Sequence, residues 1–122
     1  MAKVSKFRLG IAGDPDFKDY KVFEKELNKY LVSTKNEVYP VLTDDENLHM
    51  MFTKYSIHYL YNFCRIIRNS KLGLGPSLLA RNKEFVDDVD CCIIFWNGKN
   101  DITKNIILTA KSKNKPVKIV NI

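Results

Sequence analysis

Apolar and polar positions divide the chain into strands and helices that follow one another regularly. Cys91 to Trp96 is an unbroken apolar run with β-branched and aromatic members, stopped by Asn97-Gly98. A run so short and so bounded predicts a strand buried on both faces. Past the glycine, Ile102, Ile106 and Ala110 recur at helical spacing with Ile107 beside them, and Asn100 or Asp101 supplies a cap. Lys115-Pro116 then opens a second apolar run, Val117 to Ile122. Strand, glycine loop, helix and strand in that order make a βαβ unit of parallel strands.

The earlier part of the chain repeats this rhythm. Phe7 to Ala12 predicts a first strand, ending in Gly13-Asp14-Pro15-Asp16. A helix from about Asp19 to Leu31 follows, capped by Asp16 or Asp19, with Tyr20, Phe23 and Leu27 on its buried face. Glu37 to Leu42 predicts a second strand. Pro40 cannot donate to a ladder, so that strand is expected at an edge or with a bulge. From about Asp45 to Tyr61 a helix carries Leu48, Phe52, Tyr55 and Tyr59 on one stripe, the spacing of a packed face. Phe63 to Arg68 is a short third strand. Asn69 to Ser77 is a loop with Gly73, Gly75 and Pro76, and it lacks the Gly-Lys-Ser/Thr ending of a phosphate-binding P-loop. Leu78 to Asp88 predicts the next helix. The expected architecture is one Rossmann-like α/β domain over residues 1–122, in three layers around a mostly parallel five-stranded sheet. Ligands of such sheets bind at the carboxyl ends of the strands, which places Trp96 to Thr103 at the expected site.

Composition narrows the options. The 122 residues are 45% hydrophobic, as in a globular chain. No apolar run approaches the roughly 20 residues of a membrane helix. Phe7 to Ala12 is too short for a signal-peptide core, so the expected location is the cytoplasm, that of the host if the chain is phage-encoded. Cys91 and Cys92 are adjacent in a strand and Cys64 stands alone, which is no disulfide framework. His49 and His58 lack zinc spacing, so no metal is expected. The net charge of +6 suits nucleic acid or anionic small molecules. The lysines are scattered as on a solvated surface, except Lys99 in the glycine loop.

Several segments resemble the YspA-like proteins of the SLOG superfamily, the Rossmann-like domains that include the DprA and LOG proteins. Gly13 followed by Asp16, Phe17, Asp19 and Tyr20 resembles that family's opening strand and turn. Pro76, Arg81-Asn82-Lys83-Glu84 and Asp90 resemble its proline, Arg-Asn-x-x-Met and Asp segment. Phe95-Trp96-Asn97-Gly98-Lys99-Asn100-Asp101-Ile102-Thr103 resembles its Phe-Trp-Asp-Gly-x-Ser-x-Gly-Thr segment. The chain departs from the pattern after the second strand. Leu42-Thr43-Asp44-Asp45-Glu46-Asn47 stands there in place of a glycine-rich segment.

The resemblance implies non-catalytic binding of a nucleotide-derived small molecule, an ADP-ribose-like or cyclic-nucleotide signal, with sequestration of a host immune signal as its use. No catalytic residue and no cofactor is expected. Gly13 and Asp14 would line the first strand's exit, and Arg81 and Lys99 would meet phosphate. Trp96 would stack on a base or cover the pocket, and Asn97, Gly98, Asn100 and Thr103 would complete it. Two alternatives come with the family: a LOG-like nucleotide phosphoribohydrolase, for which Arg81 and Glu84 are present without the glycine loop, and a DprA-like nucleic-acid binder. Relatives self-associate through helices, so a homo-oligomer is expected, with the aromatic-rich helix as its face.

Overall fold

The computed structural model describes residues 7–31, 38–59, 65–67 and 75–122. Five strands and four helices alternate: β1 (Phe7–Gly13), α1 (Tyr20–Leu31), β2 (Val38–Thr43), α2 (Glu46–Tyr59), β3 (Arg65–Ile67), α3 (Gly75–Asp88), β4 (Cys91–Trp96), α4 (Asp101–Ser112) and β5 (Val117–Asn121). All strands pair in parallel, in the order β3-β2-β1-β4-β5. This is a Rossmann-like α/β fold. Residues 69–74 of the predicted loop, and Cys64, lie outside the described residues.

The period of two along each strand sorts side chains to the two faces. Leu9 and Ile11 of β1, Val38 and Leu42 of β2, and Ile93 and Phe95 of β4 meet α1 and α2. Ala12, Val41, Cys92 and Ile94, one position out of step, meet α3 and α4. Two cores therefore lie on opposite sides of one sheet, and Cys91 and Cys92 face opposite cores. The aromatic stripe of α2 is spent in the first core. Tyr55 is fully buried, meets Phe23 edge-on with centroids 6.3 Å apart, and stacks near Phe52. What α2 turns outward instead is Met50 and Ile57.

Two local features differ from the sequence expectation. Pro40 belongs to neither an edge strand nor a bulge: β2 runs between β1 and β3. Pro40 pairs in register with Leu9, while the ladder to β3 spans Val41–Thr43. The proline is accommodated within an unbroken parallel register to β1 that runs from Val38 to Leu42. Helix α3 begins at Gly75, three residues before the expected Leu78, and takes in Pro76. In a first turn the absent proline N–H would have no intrahelical partner anyway.

Helix α3 crosses β1 closely because Gly10 has no side chain. A Cβ there would lie 2.7 Å from Phe85 Cζ and 2.9 Å from Val89 Cγ1. The lower end of the same contact is tied by Arg8, whose guanidinium pairs with Asp88 at 2.6 Å and whose backbone exchanges hydrogen bonds with Asp90. Lys115 Nζ donates to the carbonyls of Val86 and Val89 at 2.7 and 2.6 Å, closing the open end of α3. Gly10→Ala is expected to lower stability by about 1–3 kcal/mol through overpacking, measured by urea denaturation. A neutral result would mean that α3 docks less tightly than described.

Candidate functional site: the rim where β1 and β4 end

Strand order reverses direction between β1 and β4, since the chain builds outward through β2 and β3 and then returns to the other side of β1. In open parallel sheets this is where a crevice forms outside the carboxyl ends of the strands. A hollow of about 430 Å³ lies there, lined by Asp14, Phe17, Asp19, Asn97 and Ile122 among others. Its size falls within the range of small-molecule sites.

The residues after β1 shape this hollow. Asp14-Pro15-Asp16-Phe17 is a tight turn, with the Phe17 amide donating to the Asp14 carbonyl at 3.0 Å. Pro15 occupies the position where its fixed φ favours such a turn. The turn throws Phe17 back onto the sheet end, where it stacks on Phe95 with centroids 4.5 Å apart and planes 13° from parallel. Asn47 Nδ2 holds the turn from α2 through the Pro15 carbonyl at 2.8 Å. Asp19 then opens α1, its Oδ1 accepting from the Val22 amide at 3.4 Å.

Asp14 joins the two strand exits. Its amide donates to the Phe95 carbonyl at 2.9 Å, and its Oδ2 accepts from the Asn97 amide at 2.8 Å. The side chain is 5% exposed, and its Oδ1 is buried without a partner among the described residues. Gly13 lets the strands approach: a Cβ on it would lie 3.0 Å from both Cβ and O of Phe95.

The bend after β4 is held by its own side chains. Asn97 Oδ1 accepts from the amides of Lys99 and Asn100 at 2.7 and 3.0 Å. Gly98 supplies the positive φ of 86° that the bend requires. Asn100 caps α4: its Oδ1 accepts from the Thr103 amide at 2.9 Å and from the Thr103 hydroxyl at 3.2 Å. The amides of Lys99, Asn100 and Thr103 at this helix end are thus already answered by asparagine oxygens.

The expected site residues therefore divide. Asp14 and Asn97 line the hollow. Gly13, Gly98, Asn100 and Thr103 are not in its lining; they shape the two strand exits by close packing, by turning and by capping α4. Trp96 donates its indole N–H to the Asn100 carbonyl at 3.0 Å and packs into the α3/α4 core, away from the hollow's lining. Lys99 is exposed and also outside that lining. Arg81 is buried across the rim, with Nη1 2.9 Å from Asp44 Oδ1 and Nη2 donating to Asn82 Oδ1 at 3.0 Å. Its charge is met by Asp44 and Asp45. Asn82 in turn bonds Ile102 O and Asn105 Oδ1, joining α3 to α4. Residue-by-residue reading passed over Phe17, Lys18, Val22, Asn121 and Ile122. The signal for Phe17 and Lys18 was their position, in the connection that follows β1 beside the point where strand order reverses.

The groups with reactive potential lie elsewhere. Burial pushes the Cys91 thiol up to about 11 and the Cys92 thiol up to about 12. Both stay protonated near neutrality and are poor nucleophiles. His49 and His58 are on the exposed side of α2, and Glu84 is exposed on α3. Among the described residues no group of three His, Cys, Asp or Glu converges to hold a metal ion, and no helix is long and apolar enough to cross a membrane.

With fold and site described, the class is a Rossmann-like α/β protein with a hollow at its topological switch point. No protein-family model, curated protein or solved structure matches the chain.

Three outcomes check this arrangement. Asn100→Ala, which removes the cap of α4, is expected to cost about 1 kcal/mol in chemical denaturation. Alkylation of the folded protein near neutral pH, followed by peptide mapping, is expected to leave Cys92 unmodified and Cys91 slow. Because folding raises both thiols above the ordinary value of 9.0, their contribution to stability is complete below that pH and is lost as pH rises towards about 12. Stability measured through that alkaline window should therefore fall.

Proposed function

We propose that the chain binds a nucleotide-derived small molecule without transforming it, and that it does so in the hollow outside β1 and β4. The observation that carries this reading is the position of the hollow. A cavity of about 430 Å³ opens at the topological switch of a β3-β2-β1-β4-β5 parallel sheet, the crevice in which such folds take their ligands. Phe17 and Val22 give it an apolar body, and Asp14, Asn97 and Asn121 give it polar contacts. Binding without chemistry is supported by what surrounds the hollow. The thiols are held protonated by burial, and neither histidine lines it. Arg81, the residue a LOG-like hydrolase would use, is engaged by Asp44. A role in sequestering a host signal, and kinship with the SLOG domains, belong to this proposal. The fold and the place of the hollow suit both.

The reading is tested by purifying the protein from a nucleotide-rich extract, heating it and identifying released small molecules by mass spectrometry. Intact nucleotide-like ligand is the expected result, and readding it at about a hundredfold its Kd should raise Tm by on the order of 10 °C. A cleaved product would favour the hydrolase instead. Absence of any ligand, with no thermal shift across a nucleotide panel, would overturn the proposal.

A further inference from the structure

The sheet ends in an open edge at β5. That strand pairs with β4 from Val117 to Asn121, and among the described residues no strand lies on its other side. The Pro116 carbonyl accepts from the Cys92 amide, and the Ile122 amide donates to the Trp96 carbonyl. The even-numbered positions of β5 therefore turn their backbone groups to β4. Those of Val117, Ile119 and Asn121, one step out of phase, point out of the open edge. Sheets commonly blunt such an edge with a proline or a bulge. Val117–Asn121 has no proline and keeps an uninterrupted register to β4. Space also remains beside the strand at both ends. The hollow of about 430 Å³ includes Asn121 and Ile122, and a second of about 270 Å³ includes Tyr30, Val117 and Lys118. One guard against edge pairing is present: Lys118, the single charge of the strand. It is exposed and makes no ion pair among the described residues. Acid gathers at the opposite end. Asp14, Asp16 and Asp19 share the larger hollow with Asn121 and Ile122, against Lys18 alone among the described residues. Asp16 is exposed and, like Lys118, has no ion-pair partner there. The edge is thus basic where β5 begins and acidic where it ends. A parallel neighbour of the same sequence would set like charge beside like, and an antiparallel one sets Lys118 towards the acids.

We infer that β5 pairs antiparallel with β5 of a second copy of this chain, about a twofold axis at Ile119, so that one sheet runs through both copies. In that register Ile119 faces Ile119 and Val117 faces Asn121, and each pair exchanges both of its outward backbone hydrogen bonds. Lys118 stands opposite Val120 of the second copy and diagonal to that copy's Ile122, a separation a long side chain spans. Ile122 lines the acidic hollow, so the ammonium arrives at its rim. The twofold makes this charge contact twice. The inference stands apart from the binding function proposed above, because neither the open edge nor its charges depend on a ligand. It also moves the contact away from α2, whose aromatic stripe is spent inside the protein.

Sedimentation equilibrium of the full chain from about 1 to about 100 µM tests this, and a monomer–dimer equilibrium is expected within that range. Lys118→Glu sets acid against acid and should weaken the dimer at least about tenfold. Asp16→Lys should weaken it in the same sense, and the double swap should recover most of the loss. Hydrogen exchange gives a second readout: the amides of Val117, Ile119 and Asn121 should be protected at high protein concentration and exchange fast on dilution. A chain that stays monomeric throughout, a dimer whose edge amides remain unprotected, or a dimer indifferent to both charge reversals would each overturn the inference. So would a dimer lost on Ile57→Asp but untouched by Lys118→Glu, which would place the contact on the exposed side of α2. If either charge variant fails to fold, the exchange pattern of the unaltered chain decides the matter.

Discussion

The structure depends on how closely β1 and β4 run together at their carboxyl ends. Gly13 lies against Phe95 with no room for a Cβ, and Asp14 extends the ladder one step beyond the strands through its own amide and carboxylate. Most parallel strands simply diverge into their loops at this point. Here one carboxylate fixes where the second bend starts, and that bend fixes the first turn of α4. The hollow is the space left beside this junction when the Pro15 turn folds Phe17 back onto Phe95. Close packing, rather than an open loop, is what shapes the site.

Several charges in this protein are taken up by architecture. Lys115 closes α3, Lys113 pairs with Asp87 and holds its carboxyl below the ordinary range, and Arg8 joins β1 to the end of α3. Arg81 is the strongest case. It is buried among Asp44, Asp45 and Asn82, and a buried guanidinium needs such company to be tolerated at all. A net charge of +6 therefore says little about the ligand. The local balance at the hollow runs the other way, towards acid, and local balance governs what can enter a partly enclosed space.

The same economy explains the asparagines. Asn97, Asn100 and Asn82 look in isolation like polar groups waiting for a ligand. Each instead satisfies backbone groups or side chains of the fold itself: the bend amides, the α4 cap and the α3–α4 seam. A short amide side chain is well suited to that task, so its presence beside a glycine signals a shaped turn before it signals a contact. Thr103, drawn onto the Asn100 cap, follows the same logic.

The sequence by itself determined the succession of elements and the layering. Strand runs such as Cys91 to Trp96 and helical stripes such as Ile102, Ile106 and Ala110 are local patterns, and their periods fix which faces are buried. It also marked the two strand exits, because Gly13 and Gly98 interrupt those patterns visibly. Only the tertiary structure decided that Pro40 sits inside the sheet, since strand order depends on which distant strands pair and not on the residues of β2 itself. Only the tertiary structure turned Trp96 and Arg81 away from the hollow and brought Phe17, Asn121 and Ile122 to it. Which residues meet at a rim depends on strand order and on partners up to a hundred positions apart, and no local period along the chain encodes either.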